Sequence, residues 1–221
     1  MKKHLQHSST MVLNSVKFLL LFLLTGFISS HAQSVEIYAG HKRAGIDLMW
    51  FKNFKNIENE TTPFLFFSRN RASTDYQNSP TAFGSTNALS YNFKNGLGIV
   101  GVASFLNAGF TPKVGIQYNK QKENFMFFGW LVTDVKKENN IDLFGLFRYQ
   151  PTINRQWKGF FQAEVFPVYS PNTQLWNLTQ RFRLGTRFHT WAGGLMLDLN
   201  QTGKKEFSST QNLGIFIRNE F

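Results

Sequence analysis

From about residue 34 onward, apolar and polar residues of this chain alternate with a period of two, in segments separated by clusters of turn-forming residues. In 174–188, Trp176, Leu178, Phe182, Leu184 and Phe188 fall on one face, and Asn177, Thr179, Arg181, Arg183 and Arg187 on the other. Successive side chains of a strand point to opposite sides, so this segment is predicted to be a strand with one greasy and one cationic face. The pattern returns after a short turn, where Trp191, Leu195, Leu197 and Leu199 alternate with Ala192, Gly194, Met196 and Asp198. It is present again in 140–150, 113–119 and 89–94. In 124–135 and 97–106 the alternation is blurred, with apolar residues on both faces. A small barrel that fills part of its interior with side chains predicts such strands.

The connectors 94–96, 120–124, 136–140, 152–156, 170–173 and 201–206 read as hairpin turns. Strands are predicted at 34–41, 44–54, 62–72, 86–94, 97–107, 111–120, 124–135, 140–150, 157–169, 174–188, 190–200 and 207–221. Hairpins joined in this way make an all-β, antiparallel up-and-down sheet of about twelve strands, the even count that single-chain bacterial barrels carry. Ten strands is the alternative, with 35–54 as the ambiguous stretch. The longest irregular stretch is 73–85, which becomes an extracellular loop if both termini are periplasmic. After residue 32 no apolar run approaches the length of a transmembrane helix.

The first 32 residues have a different pattern. Lys2, Lys3 and Lys17 precede an apolar run from Phe18 to Phe27, and Ser30-His31-Ala32 follows. Basic, apolar and small-x-small in that order predict a secretory signal peptide over 1–32, leaving one domain over 33–221. Of 24 Lys+Arg, three lie in the leader, so the remaining chain carries 21 against 13 Asp+Glu, a net of +8. The chain has no cysteine, which excludes disulfides, thiolate metal sites, a cysteine nucleophile and a lipidated N-terminal Cys. A closed hydrogen-bonded barrel in a membrane is another way to stabilise an exported chain.

The last segment, Gln211-Asn-Leu-Gly-Ile-Phe-Ile-Arg-Asn-Glu-Phe221, places Leu213, Ile215, Ile217 and Phe221 on one face, with Gly214 seven residues before the end. It resembles the terminal strand of outer-membrane β-barrel proteins, in which alternating apolar residues and a final aromatic are read by the barrel assembly machinery. Asn219 departs from that pattern, where a bulkier apolar residue is usual. The resemblance implies a transmembrane barrel in the cell outer membrane, with outer-membrane lipids and the assembly machinery as partners. Trp157, Tyr169, Trp176 and Trp191, near strand ends, fit interfacial girdles.

The informative polar feature is a set of arginines on the inferred inner face: Arg181, Arg183 and Arg187 on one strand, with Arg148 and Arg218. Candidate partners are Asp142, Glu164, Asp198 and Glu220. Two readings stay open. One is an electropositive passage for small, anionic solutes. The other is a set of salt bridges that holds a packed lumen together in a structural or accessory barrel binding lipid or a partner protein. A lipid-modifying enzyme is a third reading. His41 and His189, the histidines outside the leader, fall in or beside turns, and no G-x-S-x-G is present. No catalytic residue is assigned, two distant histidines make no metal site, and no cofactor is expected. Lys136, Lys137, Lys204 and Lys205 fall in predicted extracellular turns, where lipopolysaccharide phosphates are candidate contacts and solvated loop charge is the plainer reading. Dispersed positive charge on an exported chain does not point to nucleic acid.

Overall fold

A computed structural model describes residues 33–77, 81–107, 109–135 and 138–221. The predicted leader, 1–32, and the turn residues Lys136 and Lys137 lie outside the described residues. Twelve strands follow one another: β1 Gln33–Gly40, β2 Arg43–Lys55, β3 Thr61–Asp75, β4 Thr81–Asn92, β5 Leu97–Leu106, β6 Gly109–Gln121, β7 Phe125–Asp134, β8 Ile141–Tyr149, β9 Trp157–Ser170, β10 Leu175–Phe188, β11 Trp191–Gly203 and β12 Phe207–Glu220. Each pairs antiparallel with its sequence neighbours, and β1 pairs with β12, so the sheet closes into an up-and-down barrel.

Twelve strands, not ten, is the outcome, because the stretch 35–54 turns between Gly40 and Arg43, and Ala39 lies opposite Ala44. The long irregular stretch expected at 73–85 is corrected. β3 runs on to Asp75 and β4 starts at Thr81, with Thr74 opposite Thr81. Small and polar residues such as Ser73, Thr74, Gly84 and Ser85 look like a loop in composition, yet as cross-strand partners their backbone groups are satisfied by the ladder. One register irregularity, between Asn53 and Lys55, marks the start of the β2–β3 turn.

Alternation sorts the side chains into two environments. Ile37, Leu89, Ile99, Val114, Ile116, Leu131, Leu143, Leu184, Leu195, Leu213, Ile215 and Ile217 lie exposed on the outer wall. An exterior that is apolar over most of a closed sheet suits hydrocarbon, and no strand edge is left unpaired. Aromatic residues mark both ends of that wall. Trp157 stacks on Phe188 near the end that carries the termini, and Tyr169 stacks on Trp176 at the opposite end, with ring centroids 4.9 and 4.7 Å apart.

The seam between β1 and β12 is locked by small residues and one carboxamide. Gly214 lies opposite Gly40. A Cβ on Gly214 would stand 2.0 Å from the Ala39 carbonyl oxygen and 2.4 Å from the Gly40 Cα. Asn212, fully buried, accepts from the Lys42 and Arg43 amides through Oδ1 and donates to the Arg43 carbonyl through Nδ2. Phe221 and Gln33 exchange two backbone hydrogen bonds. Leu213, Ile215, Ile217 and Phe221 are exposed on the outer wall.

The barrel interior as candidate functional site

The inward positions divide into two territories. Across β4 to β8 the interior is mostly apolar: Ala88, Val100, Val102, Phe128, Trp130, Val132, Phe144 and Leu146 are buried together with Met49, Leu65 and Phe67 from β2 and β3. This cluster spans the lumen. Phe67 of β3 packs against Phe128 and Trp130 of β7 at 5.1 and 5.4 Å, and Phe51 of β2 reaches Phe128 at 5.0 Å. Polar inward residues in this territory sit toward the strand ends. Gln117 donates to Ser90 and Asn92 at the terminus end, while Lys113 bridges Asp134 and Asp142 at the other.

Across β9 to β12 and β1 the interior is mostly ionic, around a smaller apolar cluster of Tyr38, Phe160, Ala192, Met196 and Phe216. Acids and arginines alternate in one connected chain. Arg181 meets Glu164, Glu164 meets Arg69, Arg69 meets Asp47, and Asp47 lies 3.5 Å from Arg71. Arg71 then meets Asp198 at 2.9 Å, Asp198 meets Arg183 at 2.8 Å, and Arg183 meets Glu36 at 2.9 Å. Glu36 is bound by Arg218, and Glu220 closes the chain with Arg148 and Arg187 at 2.9 and 2.7 Å. Gln162 ties Arg148 and Arg218 to Glu164 through its carboxamide. Aromatic faces carry some of the guanidinium groups: Arg71 lies 4.7 Å over Tyr38 and Arg218 5.1 Å over Phe160. Buried charges require this degree of pairing, because an unpaired ion in a low-dielectric interior costs several kcal/mol.

Arg69 is the residue that joins opposite walls. It stands on β3 and binds Asp47 on the neighbouring β2. The same guanidinium donates to both carboxylate oxygens of Glu164 on β9, six strands away around a twelve-strand barrel, at 2.8 and 3.2 Å. Side chains therefore cross the lumen at mid-height, by an ion pair on one side and by stacked rings on the other. Toward the end opposite the termini a cavity of about 260 Å³ remains open, whose charged lining is Arg43, Arg69, Arg71, Lys113 and Arg181 against Asp142 and Asp198, with Trp130 and Phe144 among its walls.

Arg148, Arg181, Arg183, Arg187 and Arg218 all stand in the connected chain, with Glu164, Asp198 and Glu220 as partners. Asp142 is not an arginine partner: it meets Lys113 at 2.9 Å on the other side of the barrel. Sequence reasoning missed Glu36, Asp47, Arg69, Arg71, Lys113 and Asp134. A signal existed for two of them, since Arg69 and Arg71 stand two apart, as Arg181 and Arg183 do, and so share a face. The His41 amide donates to the Leu213 carbonyl and the Leu213 amide donates to His41 Nδ1, and His189 holds a left-handed backbone (φ 53°) in the β10–β11 turn while its carbonyl accepts from Arg187. Among the described residues no group of His, Asp and Glu is arranged to hold a metal ion.

No protein-family model matches this chain, and no curated protein matches it. Among solved structures, the chain is similar to the NanC porin in a rhombohedral crystal form, at 12% identity and a TM-score of 0.49, covering 86% of this chain and 100% of that one. It is also similar to the KdgM porin in complex with disordered oligogalacturonate, at 13% identity and a TM-score of 0.46, covering 86% and 99%. At such identities the likeness is one of fold, and the twelve-strand barrel rests on the strand pairings above.

Proposed function

We propose that this protein is an integral outer-membrane β-barrel that takes small anionic solutes into its cationic vestibule, with passage through the lumen gated by the Arg69–Glu164 crossing. The apolar exterior, the two aromatic ends and the closed sheet support the membrane placement. With both termini in the periplasm, the vestibule opens outward. Five cations on its wall, Arg43, Arg69, Arg71, Lys113 and Arg181, outnumber the two acids, Asp142 and Asp198, and this excess gives an entering anion a favourable potential, as in arginine- and lysine-lined pores. The observation that carries the gate is the pair of bonds from Arg69 to Glu164 across the barrel.

The test is efflux from vesicles that carry the folded barrel. A small dicarboxylate is expected to leave slowly yet faster than an uncharged solute of the same size. Exchanging Arg43 and Arg181 for glutamine is expected to remove that preference. Equal efflux of both solutes from the unaltered protein contradicts the anion reading. The aromatic cluster of Phe51, Phe67, Phe128, Trp130 and Phe144 favours a second reading, an accessory barrel with a permanently sealed lumen. No efflux of either solute, from the unaltered protein or from a variant lacking Arg69 and Glu164, supports that second reading.

A further inference from the structure

The outer wall turns polar at mid-height of β3 and β4. Inward Phe67, Arg69 and Arg71 leave Ser68 and Asn70 pointing outward, and inward Ala88 leaves Asn87 and Ser85 outward. Ser68 is the central residue of its strand, and Ser68 faces Asn87 while Asn70 faces Ser85 across the ladder. The four side chains bond to one another: Ser68 Oγ to Asn87 Oδ1 at 2.8 Å, Asn70 Nδ2 to Ser68 Oγ at 3.3 Å and Asn87 Nδ2 to Ser85 Oγ at 3.2 Å. Beside them β5 carries small outward residues. Ala103 stands opposite Asn87, and a Cβ built on Gly101 meets nothing within 4 Å. Ser68 lies buried at the floor of this polar patch, and the half-buried Asn70, Ser85 and Asn87 form its accessible part, flanked across the ladders by Leu48, Trp50 and Phe105. The outer-wall carboxamide pair Gln180 and Gln201 is smaller, two side chains joined by one bond, and Gln201 lies two residues from the end of β11.

We infer that this patch is the contact surface for a second copy of the same chain, an inference that rests on the membrane placement proposed above. Each carboxamide offers two donors and two acceptor sites, more than the internal bonds use, and lipid tails supply neither. Lipid headgroups lie at the membrane surface, not at mid-wall. The patch carries no charge and mixes donors with acceptors, so a surface of its own kind complements it. Two barrels inserted in the same direction present it at the same depth, and a two-fold axis along the membrane normal sets each patch against its copy. Small residues beside polar ones let two walls approach closely in lipid, as they do between membrane helices.

The absence of cysteine makes the test clean. Ala72→Cys and Ala103→Cys flank the patch, and Leu195→Cys on β11 is the control. The full chain is placed in bacterial outer membranes and in phospholipid vesicles and treated with a short thiol-to-thiol bridging reagent. Dimers are expected from the two flanking positions and not from the control. In a Ser68→Ala, Asn70→Leu, Ser85→Ala, Asn87→Leu background the linked fraction is expected to fall about tenfold. Membrane-inserted, folded protein that gives no dimer, or as much from the control, overturns the interface while leaving the membrane placement standing. Cross-linking to a different protein overturns the second copy as occupant. A chain that never enters the membrane overturns both readings.

Discussion

The two sides of the lumen are filled by opposite chemistry. Across β4–β8 the wall is closed mainly by rings and branched aliphatic groups, while across β9–β12 and β1 it is closed mainly by alternating acids and arginines, joined by Asp47, Arg69 and Arg71 of β2 and β3 and packed around a smaller apolar cluster of Tyr38, Phe160, Met196 and Phe216. Both fill space, and they differ in what happens when one member is lost. An apolar side chain removed leaves a cavity whose cost depends on how far its neighbours relax. An acid removed takes one carboxylate from each of the buried arginines it bridges, so Glu36 lost leaves Arg183 with Asp198 alone and Arg218 with Glu220 at 3.7 Å, an excess of buried positive charge that no small relaxation repairs. The apolar side is therefore the forgiving one, and the ionic side is the one that holds a defined arrangement.

The largest expected effect follows from that difference. Glu36→Ala strips a carboxylate from Arg183 and Arg218, both almost fully buried, and is expected to destabilise the barrel by about 3–5 kcal/mol, read by urea unfolding in vesicles. Phe128→Ala on the other side is expected to cost about 3 kcal/mol in the same assay, at the low end for a large buried aromatic, because several rings around it can close in. Loss at Phe128 clearly exceeding that at Glu36 would reverse the comparison. Gly214→Ala lies at the β1–β12 closure, within the ionic side, and is expected to cost about 1–3 kcal/mol, since its Cβ meets backbone that must shift. That loss is expected in refolding without any assembly machinery. A defect confined to cells would instead assign Gly214 to recognition alone. The smallest effect is expected for Lys204→Ala in the β11–β12 turn, within about 0.5 kcal/mol.

The same division explains what was legible in the sequence. Where the interior is ionic, as along β10, most inward positions are polar and most outward ones apolar, so the alternation of Trp176, Leu178, Phe182 and Leu184 with Asn177, Thr179, Arg181 and Arg183 shows plainly. Where the interior is apolar, as along β7, Phe127 and Leu131 face outward while Phe128, Trp130 and Val132 face inward, and hydrophobicity no longer separates the faces. Strand number and hairpin order were legible because turns interrupt both kinds of strand. The pairings across the barrel were not. That Arg69 meets Glu164 depends on the closure and register of the whole sheet, and no local spacing encodes a contact between residues 95 positions apart. The loop expected at 73–85 failed for a related reason: ladder pairing overrides the loop-like composition of Ser73, Thr74, Gly84 and Ser85.

Single-channel conductance in planar bilayers tests the gate at Arg69 most directly, with the unaltered barrel compared against an Arg69→Ala, Glu164→Ala variant. Insertion of both is first verified by protease protection. The crossing predicts a closed or briefly flickering unaltered protein and a variant with longer, larger openings that favour anions across a salt gradient. A steady, wide conductance from the unaltered barrel, unchanged when Arg69 and Glu164 are removed, would contradict it.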